Sequence, residues 1–100
     1  MRRLIIKAQA RLDMLEIWHH IAKDSLDAAI RVEEKIDAEI KSLRELPGKG
    51  HARHDTRDPS IRFWRVYSYL IAYRYDENRV QIVRVVHGGR NMRAMFPGAN

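Results

Sequence analysis

The chain has 100 residues, no cysteine, 45% hydrophobic and 32% charged residues, and a formal net charge of +6. Length and composition indicate one globular domain over residues 1–100, and the missing thiols exclude a disulfide scaffold, a cysteine nucleophile and a thiolate metal site. No apolar run approaches the length of a membrane span or a signal-peptide core, so the expected location is the cytoplasm.

Residues 3–8 carry β-branched content and predict a short strand. From Ala8 the period becomes helical. Met14, Leu15, Trp18, Ile21 and Ala22 form a wide apolar stripe with Ile17 on its flank, and Asp13, Glu16, His20 and Lys23 are expected on the opposite, polar side. Ser25 is a suitable N-cap for a second helix, whose narrower stripe runs through Ala28, Ala29, Val32, Ile36, Ile40, Leu43 and Leu46. Pro47, Gly48 and Gly50 end it. The short link between the helices predicts an antiparallel helical hairpin.

Residues 48–60 read as a polar loop, followed by strands at Ile61 to Tyr67, Tyr69 to Tyr75 and Val80 to His87. Asp76-Glu77-Asn78 predicts a tight turn, Gly88-Gly89 ends the sheet, and the tail through Pro97-Gly98 reads as loosely structured. The fold class is α+β: an N-terminal strand, a helical hairpin, and a three-stranded antiparallel meander packed on the hairpin. If the turn pairs Tyr75 with Arg79, one sheet face carries Tyr69, Ile71, Tyr73, Val83 and Val85. The other carries Leu70, Ala72, Val80, Ile82 and Val86. The hairpin can cover only one of these apolar faces, and the sequence does not say which. The other is expected to remain exposed until a second polypeptide docks.

The positive charge is concentrated in the second half. Residues 1–50 hold ten Lys/Arg against nine acids, whereas residues 51–100 hold nine Arg, no Lys and four acids. Arginine without lysine suits bidentate contact with phosphates or carboxylates, so an acidic partner is expected. His51 and His54 lie in a flexible loop without preset ligand geometry, and no metal or other cofactor is expected. There is no nucleophile elbow and no phosphate-cradling glycine loop. What remains is a set of arginines (Arg53, Arg57, Arg62, Arg65, Arg84, Arg90, Arg93) with His87 near the end of the last strand. Metal-free RNA cleavage needs an acid, a base and cations for the phosphate. His87 could fill one of the first two roles, and no second acid or base sits beside it in the sequence. Arg84 falls on an apolar face, where it would either snorkel to an edge or be held by an acidic partner.

Four collinear stretches carry a resemblance: Ala10 to Ala22, Leu43 to Gly50 with Arg53, Tyr69 to Arg74, and Val83 to Arg90. Together they resemble the RelE/ParE toxin family of type II toxin–antitoxin systems, closest to its ParE-like (plasmid stabilisation) branch. The resemblance implies a toxin that inhibits DNA gyrase by direct protein binding, without being an enzyme, and is neutralised by a ParD-like antitoxin with an acidic C-terminal segment. The alternative it implies is a ribosome-dependent mRNA endonuclease of the RelE type, which here would use His87, Arg84 and Arg90. Phe96 stands six residues after Arg90, where a catalytic tyrosine is expected in that branch, and phenylalanine cannot exchange a proton. On this reading Arg53, Arg65, Arg84, Arg90 and Arg93 form the basic target-binding surface. Tyr69, Ile71, Tyr73, Val83 and Val85, with Trp18, receive the antitoxin.

Overall fold

A computed structural model of the chain describes residues 1–96, and Pro97 and Gly98 of the tail lie outside the described residues. Strand β1 (Arg3–Ile6) leads into helices α1 (Ala8–Ala22) and α2 (Leu26–Glu45), then a single 3₁₀ turn at Pro47–Lys49. Strands β2 (Arg62–Val66), β3 (Tyr69–Tyr75) and β4 (Arg79–His87) follow, and a one-turn helix α3 (Met92–Met95) closes the described chain. The result is α+β, with the meander extended by β1, which pairs parallel to β4 to give a mixed sheet of order β1-β4-β3-β2.

Local chemistry sets the helix boundaries. Ser25 is extended, and its hydroxyl accepts from the Ala28 N–H at 3.1 Å, satisfying one of the orphan donors at the start of α2. Ser25→Ala is expected to lower stability by about 1 kcal/mol, read as a fall in the urea midpoint without a change in slope.

The hairpin covers the sheet face that carries Tyr69, Ile71, Tyr73 and Val85. Ile36, Ile40 and Leu43 of α2, with Ala10 of α1, are buried there against Ile71, Tyr73, Val80, Ile82 and Val85. The register differs from the sequence expectation by one residue at the turn: Tyr75 pairs with Val80, not Arg79. The cause is Asp76, whose Oδ1 accepts from the Asn78 and Arg79 amides at 2.8 and 3.0 Å and draws Arg79 into the turn. A β-bulge opposite Ala72–Tyr73 then skips Val83. Val80 and Ile82 therefore face the helices, whereas Val83 packs on the opposite side with Leu70, Ala72 and Val86.

That opposite face is not open. Leu70, Ala72 and Val86 are at most 5% exposed. Ile61 and Phe63 from the β2 side, and Met92 and Phe96 from the end of the chain, complete a second buried cluster over them. The Phe63 and Phe96 rings meet edge to face at 5.5 Å, and the Arg57 amide donates to the Phe96 carbonyl at 3.2 Å, fastening the C-terminal segment to the loop before β2. The expectation of a bare apolar face is thus overturned. The residues after the meander, although few, carry two bulky apolar side chains placed to cover it.

Candidate functional site

The sequence-predicted site residues come together most closely in a cleft between the outer side of α1 and the end of β4. Gln9, Glu16 and His20 of α1 face Tyr69, Arg84, His87 and Arg90 across a space of about 340 Å³. At its floor lies Asp13, only 5% exposed. Its carboxylate accepts from Arg84 Nε at 2.7 Å, Arg84 Nη2 at 2.9 Å, the Val85 amide at 3.0 Å and Gln9 Nε2 at 3.2 Å.

The β-bulge makes this possible. By skipping Val83 in the pairing it turns Arg84 and Val85 toward the helices together, so one carboxylate satisfies both the guanidinium and the bulged amide. The hydrogen bonds that Arg84 donates to Asp13 raise the Arg84 pKa above its ordinary value, against the opposing effect of burial. Of the two fates open to Arg84, the acidic partner is the one realised. Asp13, expected on the polar side of α1, is the correction: it lies three residues from Ala10 and four from Ile17, within the inward row. That spacing was the available signal, outweighed by the convention that a carboxylate belongs outside.

His87 is exposed at the cleft rim, its ring edge-on to Tyr69 at 5.9 Å. Its Nδ1 accepts from the Gly89 amide at 3.2 Å, which puts the proton of the neutral ring on Nε2. The cleft therefore offers two imidazoles, His20 and His87, the carboxylate of Glu16 and the cation Arg90, while Arg84 is already paired with Asp13.

The five arginines expected to form one basic surface differ in their partners. Arg84 lines the cleft, half-buried and held by Asp13. Arg53 makes a fork-to-fork pair with Asp55, Nε to Oδ1 at 2.8 Å and Nη2 to Oδ2 at 2.6 Å. That hydrogen-bonded pairing holds the Asp55 carboxyl below its ordinary range, with a smaller contribution from nearby Arg93. Arg65 and Arg90 are exposed near the β2–β3 turn and in no ion pair among the described residues.

The predicted antitoxin face is likewise divided. Ile71, Tyr73 and Val85 are no more than 1% exposed, sealed beneath the protein's own hairpin, and cannot form a docking surface in this fold. Tyr69, Val83 and Trp18 are half-buried and retain accessible surface. Further apolar surface lies on α1, where Leu15, within the stripe read from the sequence, and Leu12, outside it, are each 53% exposed.

Among the described residues, no group of three or more His, Asp or Glu side chains could hold a metal ion, and no helix is long and apolar enough to cross a membrane. In comparison with known proteins, residues 4–92 match the model of the ParE toxin of type II toxin–antitoxin systems, parDE. A solved structure described as a chromosomal ParDE toxin–antitoxin system from P. aeruginosa superposes with a TM-score of 0.72 at 20% identity, over 87% of this chain and 96% of that one. No curated protein matches in sequence.

Proposed function

The chain belongs to the ParE toxin family of type II toxin–antitoxin systems, and from that premise we propose that it inhibits DNA gyrase by direct protein contact and is silenced by a ParD-like antitoxin. The observation that carries the choice over ribonuclease chemistry is the fate of Arg84. Its guanidinium is committed to Asp13 by two short hydrogen bonds, so it is poorly placed to stabilise a phosphorane. Phe96, at the position where a general acid or base is expected, packs into the second core. His87 shares the cleft with Glu16 and His20, but the cleft cation Arg84 is already paired with Asp13. Contact with a protein target demands none of these groups.

The accessible apolar surface of α1, Leu12 and Leu15 with the exposed part of Trp18, supports docking of an antitoxin segment on the outside of the hairpin. Acidic residues in that segment would match the +6 net charge and accelerate association.

Purified toxin is expected to inhibit gyrase supercoiling or to trap gyrase-cleaved DNA, with activity restored by the antitoxin. In a parallel translation assay it should leave ribosome-bound mRNA uncut. Codon-phased mRNA cleavage without any effect on gyrase would overturn the proposal and restore His87 and Arg90 as catalytic candidates.

A further inference from the structure

We propose that the β2–β3 tip, centred on Tyr67, is the epitope with which this toxin grips an acidic protein surface on its target; the inference rests on the gyrase-binding reading above. Only Tyr67 and Ser68 connect β2 to β3, because Val66 already pairs with Tyr69. Tyr67 has φ 56°, the only positive φ of a non-glycine residue among the described residues. Two-residue hairpins call for such a backbone at their first position, and glycine or asparagine adopts it at the lowest cost. A tyrosine there is conformationally unfavourable, and at 58% exposure its ring returns little to the core. A strained residue whose side chain faces water gains nothing inside the fold that offsets its backbone, which points to a contact outside the fold.

The surroundings fit a protein-binding anchor. Arg65 Nη1 donates to the Tyr67 carbonyl at 3.4 Å, and the Gly88 amide donates to the Ser68 carbonyl at 2.8 Å, so the tip is held against the end of β4. Arg90 follows two residues later. Neither Arg65 nor Arg90 is in an ion pair among the described residues, whereas Arg53, Arg74, Arg79 and Arg84 all are. Tyrosine and arginine are the side chains that most often dominate protein interfaces, a preformed turn lowers the ordering cost, and unpaired guanidinium groups favour a carboxylate-rich surface. The two cations at this tip are few for a nucleic-acid backbone, whose binding rests on neutralising several phosphates at once.

The test is Tyr67→Gly, which suits φ 56° while deleting the ring. Its melting temperature is expected to equal or exceed that of the wild type, while gyrase inhibition and binding to DNA-free gyrase subunits fall at least tenfold. The Arg65→Ala/Arg90→Ala double variant should weaken binding more at low salt than at high salt. If Tyr67→Gly inhibits as well as wild type, the inference fails and the gyrase reading stands. If wild type itself leaves gyrase untouched, both fall. Lost binding to a DNA duplex with unchanged binding to the gyrase subunits would overturn the protein partner in favour of nucleic acid.

Discussion

Asp13→Ala is expected to destabilise the fold by about 3–5 kcal/mol, enough to leave much of a marginally stable 100-residue domain unfolded at 37 °C. The carboxylate serves a guanidinium with two hydrogen bonds and the Val85 amide with a third. Removing it strands a partly buried cation and an orphaned backbone donor at the same point. The loss also releases α1 from β4, the contact that forms the cleft. Urea unfolding of the variant measures the cost. Arg84→Met alone should be nearly as damaging, because it leaves the buried carboxylate unpaired. The double replacement Asp13→Leu/Arg84→Met should recover the part of the loss that comes from the unpaired charge, while the Val85 amide stays without its acceptor. A loss in the double variant equal to the sum of the two single losses would show that the pair is not coupled. Tests of His87 or Arg90 in function can proceed on folded protein; Arg84→Ala cannot be read that way.

Gly50→Ala is the second large effect, expected at about 3 kcal/mol, the upper end for overpacking. Backbone freedom is not the reason, for Gly50 has φ −75°. A Cβ at this position would run into Tyr73, within 2.8 and 2.9 Å of two ring carbons and closer still to Oη. The Tyr73 hydroxyl accepts from the Gly50 amide at 2.9 Å and donates to the Pro47 carbonyl at 2.6 Å, buckling the end of α2 to the sheet. Burial raises the Tyr73 pKa above its ordinary value near 10, with the Gly50 hydrogen bond opposing. The neutral phenol therefore contributes stability that is complete below pH about 10 and lost as pH rises through the folded-state value. The alkaline fall in the urea midpoint should be shallower in Tyr73→Phe. A Gly50→Ala protein with wild-type stability would mean that the ring can retreat without cost.

The 3.6-residue spacing of Ile36, Ile40 and Leu43, the Ser25 cap, the Pro47-Gly48 stop and the alternating strands are all local signals. Each acts within a few residues, so the sequence by itself determined the element order, the α+β class and the family resemblance. Asp13, by contrast, looked like a surface residue because its partner lies 71 residues away and reaches it only through a one-residue bulge. The same bulge moved Val83 off the helix face. Met92 and Phe96 looked like a loose tail, and only chain reversal after β4 brings them over Leu70 and Val86. Tyr67 was counted as one more strand aromatic until the Val66–Tyr69 pairing placed it at a turn with positive φ. Periodicity specifies which side chains are apolar within an element. Which face is covered, and which charges are spent on one another, depends on register and on contacts distant in sequence, and those the tertiary structure alone decided.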